Sequence, residues 1–225
     1  DGAIYAIRRK LYITLEREDI NDFVNPLQII AQGYRGIFEP EAKCFEETAG
    51  DFEKEGNRKE RIVNRSFRGL IKVKSVMNPF KTGIFSLEVI SHKLLRWLIP
   101  VFLITSASGS IALSLLDQYF FHYTTIGGIL FLWLALIGYF ESKRHTDNSK
   151  TNAAIFYYPY YFILVNLRSL LGVISALKGN IQVTWSTPRT KQDTSSLSTK
   201  AAMLTCAFLL CSGWVFLQAI NKLLT

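Results

Sequence analysis

The stretch WLIPVFLITSASGSIALSLL, residues 97–116, decides the fold because it carries no charged side chain over 20 residues. A helix of about 20 apolar residues is what a hydrocarbon core of ~30 Å requires. Asp117 ends this run, a second uncharged run reaches from 118 to 140, and a third covers 201–221. We therefore expect three transmembrane helices, at 97–116, 120–140 and 201–221.

Charge separates a soluble first part of the chain from a membrane part. Residues 1–93 hold 16 Lys and Arg and 14 Asp and Glu, whereas residues 94–225 hold 10 and 4. Basic residues beside membrane segments mark the cytoplasmic face and anionic headgroups. The net charge of +8 is therefore not a sign of nucleic-acid binding. We expect the lipid bilayer as a partner, and no nucleic acid.

A fourth apolar segment, residues 151–177, is less regular because Pro159 and Arg168 interrupt it. Placing Arg168 at the centre of a bilayer costs ~3 kcal/mol on insertion scales. If this segment crossed, the basic stretch after it would leave the cytoplasm, against the tendency of Lys and Arg to stay inside. We therefore favour an interfacial helix at 153–176 and a cytoplasmic loop at 177–200, with a crossing helix as the alternative.

Residues 83–96, just before the first span, show an amphipathic pattern. Leu87, Ile90 and Leu94 share one face of a helix, and charged residues flank them. Such a pattern is typical of a helix that lies in the membrane interface. We expect an interfacial helix at 83–96 and a membrane domain at 97–225.

The first 82 residues alternate between strand-like and helix-like patterns. GAIYAIRR, residues 2–9, predicts a strand; DINDFVNPLQIIAQGY, residues 19–34, predicts a helix; and GYRGIFEPEA, residues 33–42, predicts a short strand. This β–α–β order is typical of an α/β domain. The opening residues read as the middle of such a domain, so we expect a fragment that lacks an N-terminal part.

Five cations follow one another at intervals of 3, 4, 3 and 4 residues, which places them on one face of a helix. They are Arg58, Arg61, Arg65, Arg68 and Lys72. Two interpretations stay open. The face is solvated or lies on anionic lipid, or its first turns hold phosphate groups, which suit the planar donor fork of arginine.

Asp22 lies near the predicted helix start, close to Glu18 and Asp19. The simpler interpretation is a capping or surface carboxylate. The functional interpretation is a general base that removes a proton from a sugar hydroxyl. The pattern alone does not separate the two.

Several of these stretches, in this order, resemble the C-terminal half of membrane-embedded family 2 glycosyltransferases. They are GAIYAIRRKLY, NDFVNPLQIIAQGYRGIFEPEA, RKERI and SHKLLRWLIP. The family includes the processive synthases of hyaluronan, cellulose, chitin and poly-N-acetylglucosamine. The resemblance covers nearly the whole chain. It implies an α/β fragment of a GT-A-type glycosyltransferase domain at 1–82, followed by an α-helical membrane domain.

The resemblance also implies roles for particular residues. The family's catalytic base belongs to an acidic pair that opens a helix, and Asp22 occupies that place, with asparagine before it. The family's Gln-x-x-Arg-Trp motif, which helps to hold the nucleotide diphosphate and the acceptor end, is matched in spacing by RKERI, residues 58–62. Arg61 keeps the arginine, Arg58 replaces the glutamine and Ile62 replaces the tryptophan.

The loop 177–200 has counterparts in the same family. Residues 181–185, IQVTW, are similar to the gating loop of cellulose synthases, and Trp185 with Arg189 is similar to a loop near the active site of hyaluronan synthases. The resemblance therefore implies that Thr184, Trp185 and Arg189 bind substrate, with Trp185 stacking on a base or a sugar. The alternative for Trp185 is an interfacial anchor.

The activity implied is that of an inverting hexosyltransferase, which transfers a sugar from a nucleotide-sugar to a growing glycan and exports the polymer. The resemblance also implies a divalent cation, Mg²⁺ or Mn²⁺, bound mainly by the N-terminal half, so the fragment alone is expected to be inactive. The implied location is the inner (plasma) membrane, multi-pass, with the catalytic part in the cytoplasm. Two alternatives remain: a non-processive transferase that adds one sugar to a lipid acceptor, and a non-enzymatic membrane subunit.

Overall fold

The computed structural model describes residues 4–45, 52–144, 154–181 and 195–224. Within these ranges the regular structure is helical, and the chain forms two compact units. The first unit extends to Val101 and resumes at Leu164. The second begins at Phe102, extends to Ile163 and includes the last helix.

The first five α-helices are α1 Asn21–Ala31, α2 Phe52–Lys72, α3 Pro79–Thr82, α4 Ile84–Val89 and α5 Arg96–Leu115. One 3-10 turn, Arg9–Leu11, precedes α1, and a second 3-10 turn, Lys74–Met77, and a π-helical segment, Ile90–Leu95, lie between the later helices. The helices α4 and α5 and the π-helical segment continue without a break as one helix of 32 residues, Ile84–Leu115.

The core of the first unit forms around Trp97, which two phenylalanines meet edge-on. The ring centroids of Phe23 and Phe67 lie 5.9 and 6.1 Å from that of Trp97. On α2 the apolar residues Val63, Phe67 and Leu70 recur at intervals of four and three, so they share the face that points away from the arginines. All three are buried. This division into an apolar and a charged face holds α2 against the core.

The predicted α/β fragment of a GT-A-type domain is wrong, because the described residues contain no β-strand. Of the two predicted strands, residues 4–8 are irregular and 34–45 carry only a turn at 40–41. A strand is stable when its N–H and C=O groups pair with a neighbouring strand, and neither segment has such a neighbour within the described residues. Ile37 and Phe38 are consequently 94% and 84% exposed.

The remaining helices are α6 Tyr119–Arg144, α7 Ala154–Leu177 and α8 Ser195–Leu224. Within the part of the chain that the structure describes, four helices are long and apolar enough to cross a membrane: Ile84–Leu115, Tyr119–Lys143, Ala154–Leu177 and Leu204–Leu224. The chain is therefore a membrane protein, as predicted. Three of these helices were predicted to cross, and the fourth, α7, was predicted as an interfacial helix with a crossing helix as the alternative. The preference for a flat α7 came from charge and topology, which length and composition do not test, and it stays a prediction.

Hydrogen bonds of polar side chains join the helices of the second unit. Nε1 of Trp133 on α6 donates to Oγ of Ser212 on α8 over 3.0 Å. At the turn between α5 and α6, Lys222 of α8 donates to the carbonyl oxygen of Leu115 over 3.0 Å and pairs with Asp117. In lipid, such bonds satisfy polar groups that have no water to bind. They fix α8 to α6 and to the end of α5.

Candidate functional site

The N-terminus of α1 carries Asp22, the predicted catalytic base. Asp22 lies in the first turn of the helix with its side chain exposed. Its backbone N–H donates to Oδ1 of Asn21 over 2.8 Å, and no described residue forms a hydrogen bond with its carboxylate. The helix dipole favours negative charge at this position. The carboxylate of Asp22 at the N-terminus of α1 is therefore accessible to a substrate.

Arg65 of α2 holds the turn that precedes α1. Its Nε donates to the backbone carbonyl oxygen of Glu18 over 2.9 Å, and its Nη2 donates to that of Asp19. A guanidinium bound to two adjacent carbonyls sets the orientation of the backbone, because its donors lie in one plane. The spacing of the cations identified Arg65 as part of a charged face, but nothing in it pointed to backbone carbonyls as partners.

The last two residues of the cation face of α2, Arg68 and Lys72, form ion pairs with acidic side chains of the turn before α1. Arg68 pairs with Glu18 at 2.8 Å, and Lys72 pairs with Asp19 at 2.8 Å and with Glu16 at 3.1 Å. The hydrogen bond to Asp19 raises the pKa of Lys72, so its ammonium group persists to more alkaline pH. The second half of the cation face thus holds the turn before α1 in place.

The first half of the cation face contains Arg58 and Arg61. Arg58 lies 3.8 Å from Glu55. Partial burial lowers the pKa of Arg61, and the charges of Arg65 and Arg58 lower it further. Cations that repel one another in this way are stabilised by a bound anion. The predicted role of Arg58 and Arg61 in binding a negatively charged substrate stays a prediction.

Glu60, in the middle of the RKERI motif, faces α7 instead. Its Oε2 lies 2.9 Å from Nη1 of Arg168. One turn further along α2, the fully buried Asn64 donates from Nδ2 to the carbonyl oxygen of Asn180 over 3.2 Å. α2 therefore contacts the turn before α1 with one face and the C-terminal half of α7 with another. Sequence spacing did not reveal either contact with α7.

Three predicted substrate-binding residues, Thr184, Trp185 and Arg189, lie outside the described residues. The described chain before them ends at Ile181, next to the residue that Asn64 binds. The predicted location of these three side chains near the base stays a prediction.

Asp22 and Arg61 flank the contact that Arg65 makes. Asp22 follows Asp19 by three residues, and Arg61 precedes Arg65 by one helical turn. The two helices approach closely beside this contact, since a Cβ atom on Gly69 would lie 2.7 Å from Cγ2 of Val24. Asp22, Arg58 and Arg61 belong to the same compact unit, and a substrate site shared by them stays a prediction.

The described residues offer no metal centre, because no three His, Cys, Asp or Glu side chains among them come together. The carboxylates nearest to Asp22 in the chain, Glu16, Glu18 and Asp19, pair with Arg68 and Lys72. The divalent cation that the resemblance implies therefore finds no group of three such ligands within these ranges.

Compared with known proteins, the chain matches no family model, no curated protein and no solved structure. The family resemblance therefore stays a prediction.

Proposed function

We propose that the chain is part of a membrane glycosyltransferase, which transfers a sugar from a nucleotide-sugar to a growing glycan. One observation carries the proposal: Arg65 holds the turn three residues before Asp22, and Arg61 lies one helical turn from Arg65. An exposed carboxylate and a group of arginines in one packed unit supply a base and an anion site. Sugar transfer from a diphosphate needs both of these groups.

In the proposed reaction the carboxylate of Asp22 takes the proton of an acceptor hydroxyl group. The hydroxyl oxygen attacks the anomeric carbon, and the bond from that carbon to the diphosphate oxygen breaks on the opposite side, with inversion. Arg58 and Arg61 stabilise the negative charge of the departing nucleoside diphosphate through their guanidinium donors. The electron pair of the broken bond leaves with the diphosphate.

The nature of the acceptor depends on position 62. Ile62 stands where the resembled motif has tryptophan, and its side chain is exposed. An aliphatic side chain lacks the flat aromatic face on which a sugar ring stacks. This substitution favours the second candidate function, in which one sugar is added to a lipid acceptor and no polymer is held.

We place the first unit on the cytoplasmic side of the inner (plasma) membrane, as a proposal based on charge. α2 carries 10 charged residues among its 21, a density that belongs in water or at a headgroup surface. Nucleotide-sugar donors are anionic, so the arginines of α2 need to face the compartment that holds the donor.

The test uses the full-length protein in membranes that receive labelled nucleotide-sugars. Asp22→Asn keeps the shape of the side chain and removes the base, so sugar transfer should fall by about 10²–10⁴-fold. Glu41→Gln alters another exposed carboxylate and serves as the matched control, with transfer unchanged. Unchanged transfer in Asp22→Asn would refute the proposed base, and a native protein that transfers no sugar would favour a non-enzymatic subunit. The size of the product separates polymer synthesis from a single addition.

A further inference from the structure

Lys93 lies on the side of its helix that packs on the core of the first unit. Val89, Lys93 and Trp97 follow one another at intervals of four residues, which places them on one side of a helix. Val89 and Trp97 are buried in the core, whereas Lys93 is exposed. A lysine in such a row lays its aliphatic stem along its apolar neighbours and keeps its ammonium group outside the core. Lys93 therefore breaks the apolar pattern of its helix, as residues at functional sites do.

The aromatic ring of Phe23 fixes the direction of the Lys93 side chain. Nζ of Lys93 lies 5.6 Å from the ring centroid of Phe23, a distance at which the face of the ring attracts a cation. Phe23 directly follows Asp22, the proposed base, in the first turn of α1. Because consecutive Cα atoms are only ~3.8 Å apart, the ammonium group of Lys93 lies beside the residue that carries the base.

The positive charge of Lys93 is not neutralised within the described part of the chain. No carboxylate there forms an ion pair with Lys93, because the acidic side chains of the turn before α1 bond the cations of α2 instead. Arg96 is also exposed, and no described carboxylate pairs with it. Residues three apart on a helix are neighbours, so Lys93 and Arg96 together offer two positive charges to an anionic ligand.

The turn that carries Lys93 is not an ordinary helical turn. The residues Ile90–Leu95 form a π-helical segment within the continuous helix Ile84–Leu115. In an α-helix, Trp97 would be rotated by about 80° from Val89, eight residues earlier, and the wider π-helical turn reduces this rotation. The segment thus keeps Val89, Lys93 and Trp97 on the side of Phe23. Single π-helical turns of this kind occur frequently at functional sites.

The start of α1 is fixed to the point where the first membrane helix begins. Trp97 is the first residue of the uncharged run 97–116, and its ring meets that of Phe23 edge-on, with 5.9 Å between the centroids. Lys93 lies about one helical turn before this run. An acceptor that comes from the bilayer would therefore pass Lys93 and Arg96 on its way to Asp22.

We infer that Lys93 and Arg96 bind the diphosphate group of a lipid-linked sugar, and that Asp22 deprotonates a hydroxyl group of that sugar. The inference rests on the proposed function and names the class of its acceptor. A diphosphate between a lipid chain and a sugar carries more negative charge than the phosphodiester of a bulk phospholipid, so it matches two cations better. The lipid diphosphate is neither formed nor broken in the reaction, since Asp22 takes the proton and the sugar oxygen forms the new bond.

Binding of tetradecyl diphosphate to the full-length protein in phosphatidylcholine nanodiscs tests the site without any sugar transfer. Tetradecanol has the same chain without phosphate and is the ligand control, and empty nanodiscs give the background. We expect Lys93→Gln to bind the diphosphate about 10-fold more weakly than the native protein, because a charge-assisted hydrogen bond is lost. Lys93→Arg keeps a cation and should retain most of the affinity. Equal affinity in the native protein and in Lys93→Gln would overturn the inference.

The matched control variant is Lys74→Gln, which removes an exposed lysine of the same unit. Its affinity for tetradecyl diphosphate should equal that of the native protein. If Lys74→Gln loses as much affinity as Lys93→Gln, the probe responds to overall charge, and the assigned site is wrong.

Two competitors identify the source of the phosphate. Phosphatidylglycerol in the nanodiscs and inorganic diphosphate in the buffer should each displace tetradecyl diphosphate only weakly. Full displacement by phosphatidylglycerol at an equal mole fraction would replace the inferred acceptor site with a site for bulk headgroups. Inorganic diphosphate that binds as tightly as tetradecyl diphosphate would replace it with a site for soluble anions.

The binding measurement and the Asp22→Asn test fail independently of each other. Loss of sugar transfer in Asp22→Asn, together with unchanged binding in Lys93→Gln, would refute the lipid-diphosphate site alone. Binding that depends on Lys93, together with unchanged transfer in Asp22→Asn, would refute the proposed base alone.

Discussion

Nε of Arg65 lies 2.9 Å from the backbone carbonyl oxygen of Glu18, 47 residues away in the chain. Together with the bond from Nη2 to Asp19, this contact joins α2 to the turn before α1. A lysine cannot reproduce it, because its ammonium group is a point charge and not a planar fork.

We therefore expect Arg65→Lys to lower the free energy of unfolding by about 1–3 kcal/mol, the usual range for hydrogen bonds to a charged group. Arg68→Lys is the matched control. It keeps a cation for Glu18 and removes Nη1, a buried donor with no acceptor among the described residues. Denaturant unfolding in detergent micelles measures the free energy, and hydrogen exchange over residues 16–24 locates the effect. Equal losses in both variants would contradict a particular role for the fork of Arg65.

The Glu60–Arg168 pair should stabilise the packing of α7 on α2. The side chains are 20% and 25% exposed, so breaking the pair leaves a charge with limited access to water. We expect Glu60→Gln to cost about 2 kcal/mol, measured as a lower thermal midpoint in detergent. The exchanged variant, Glu60→Arg with Arg168→Glu, should recover part of this loss. If the exchanged variant is no more stable than the single variant, the attraction between the charges is not the cause.

Gly172 marks the closest approach of α7 to α2. An added Cβ atom would lie 2.7 Å from the carbonyl oxygen of Glu60 and 3.0 Å from Cβ of Val63. We expect the overlap in Gly172→Ala to lower the free energy of unfolding of the first unit by about 1–3 kcal/mol. The higher helix propensity of alanine offsets ~1 kcal/mol of this loss. Gly213→Ala in α8 is the control, because its Cβ atom would meet nothing within 4 Å. The thermal midpoint should fall in Gly172→Ala and rise in Gly213→Ala. An equal change of the midpoint in both variants would disprove the predicted overlap.

The turn between α5 and α6 should respond to acid through Asp117. The hydrogen bond from Lys222 lowers the pKa of Asp117, and the charges of Lys222 and His122 lower it further. Because the pKa is lower in the folded state, the pair stabilises the protein above the usual range of aspartate, near pH 4, and this contribution disappears as pH falls through the folded pKa.

Asp117 is exposed, so the effect is small and is screened by salt. Thermal midpoints recorded at low ionic strength from neutral pH to below pH 4 should fall more steeply in the native protein than in Lys222→Gln. Asp117→Asn is a suitable second variant, since asparagine tolerates the φ of 62° at this position. A native protein with the same acid dependence as both variants would contradict the assignment.

Much of the helical arrangement was predictable from local pattern. The uncharged run at 97–116 is long enough to cross a bilayer, and nothing distant in the chain changes that property. On α1, Phe23 and Leu27 lie four residues apart and both contribute to the core. The predicted strands failed, since a strand depends on a partner that local alternation does not supply.

The candidate site shows the limit of such patterns. Spacing placed Arg58, Arg61, Arg65 and Lys72 on one face, where they looked equivalent. In the structure their roles differ, because the turn before α1 engages only the later cations. The sequence by itself determined which segments are apolar enough for a membrane and which face of α2 is charged, since both properties depend on residues close together in the chain. Only the tertiary structure decided which cations hold the backbone before Asp22 and that Glu60 meets Arg168, because those partners are 46 to 108 residues apart and folding alone brings them together.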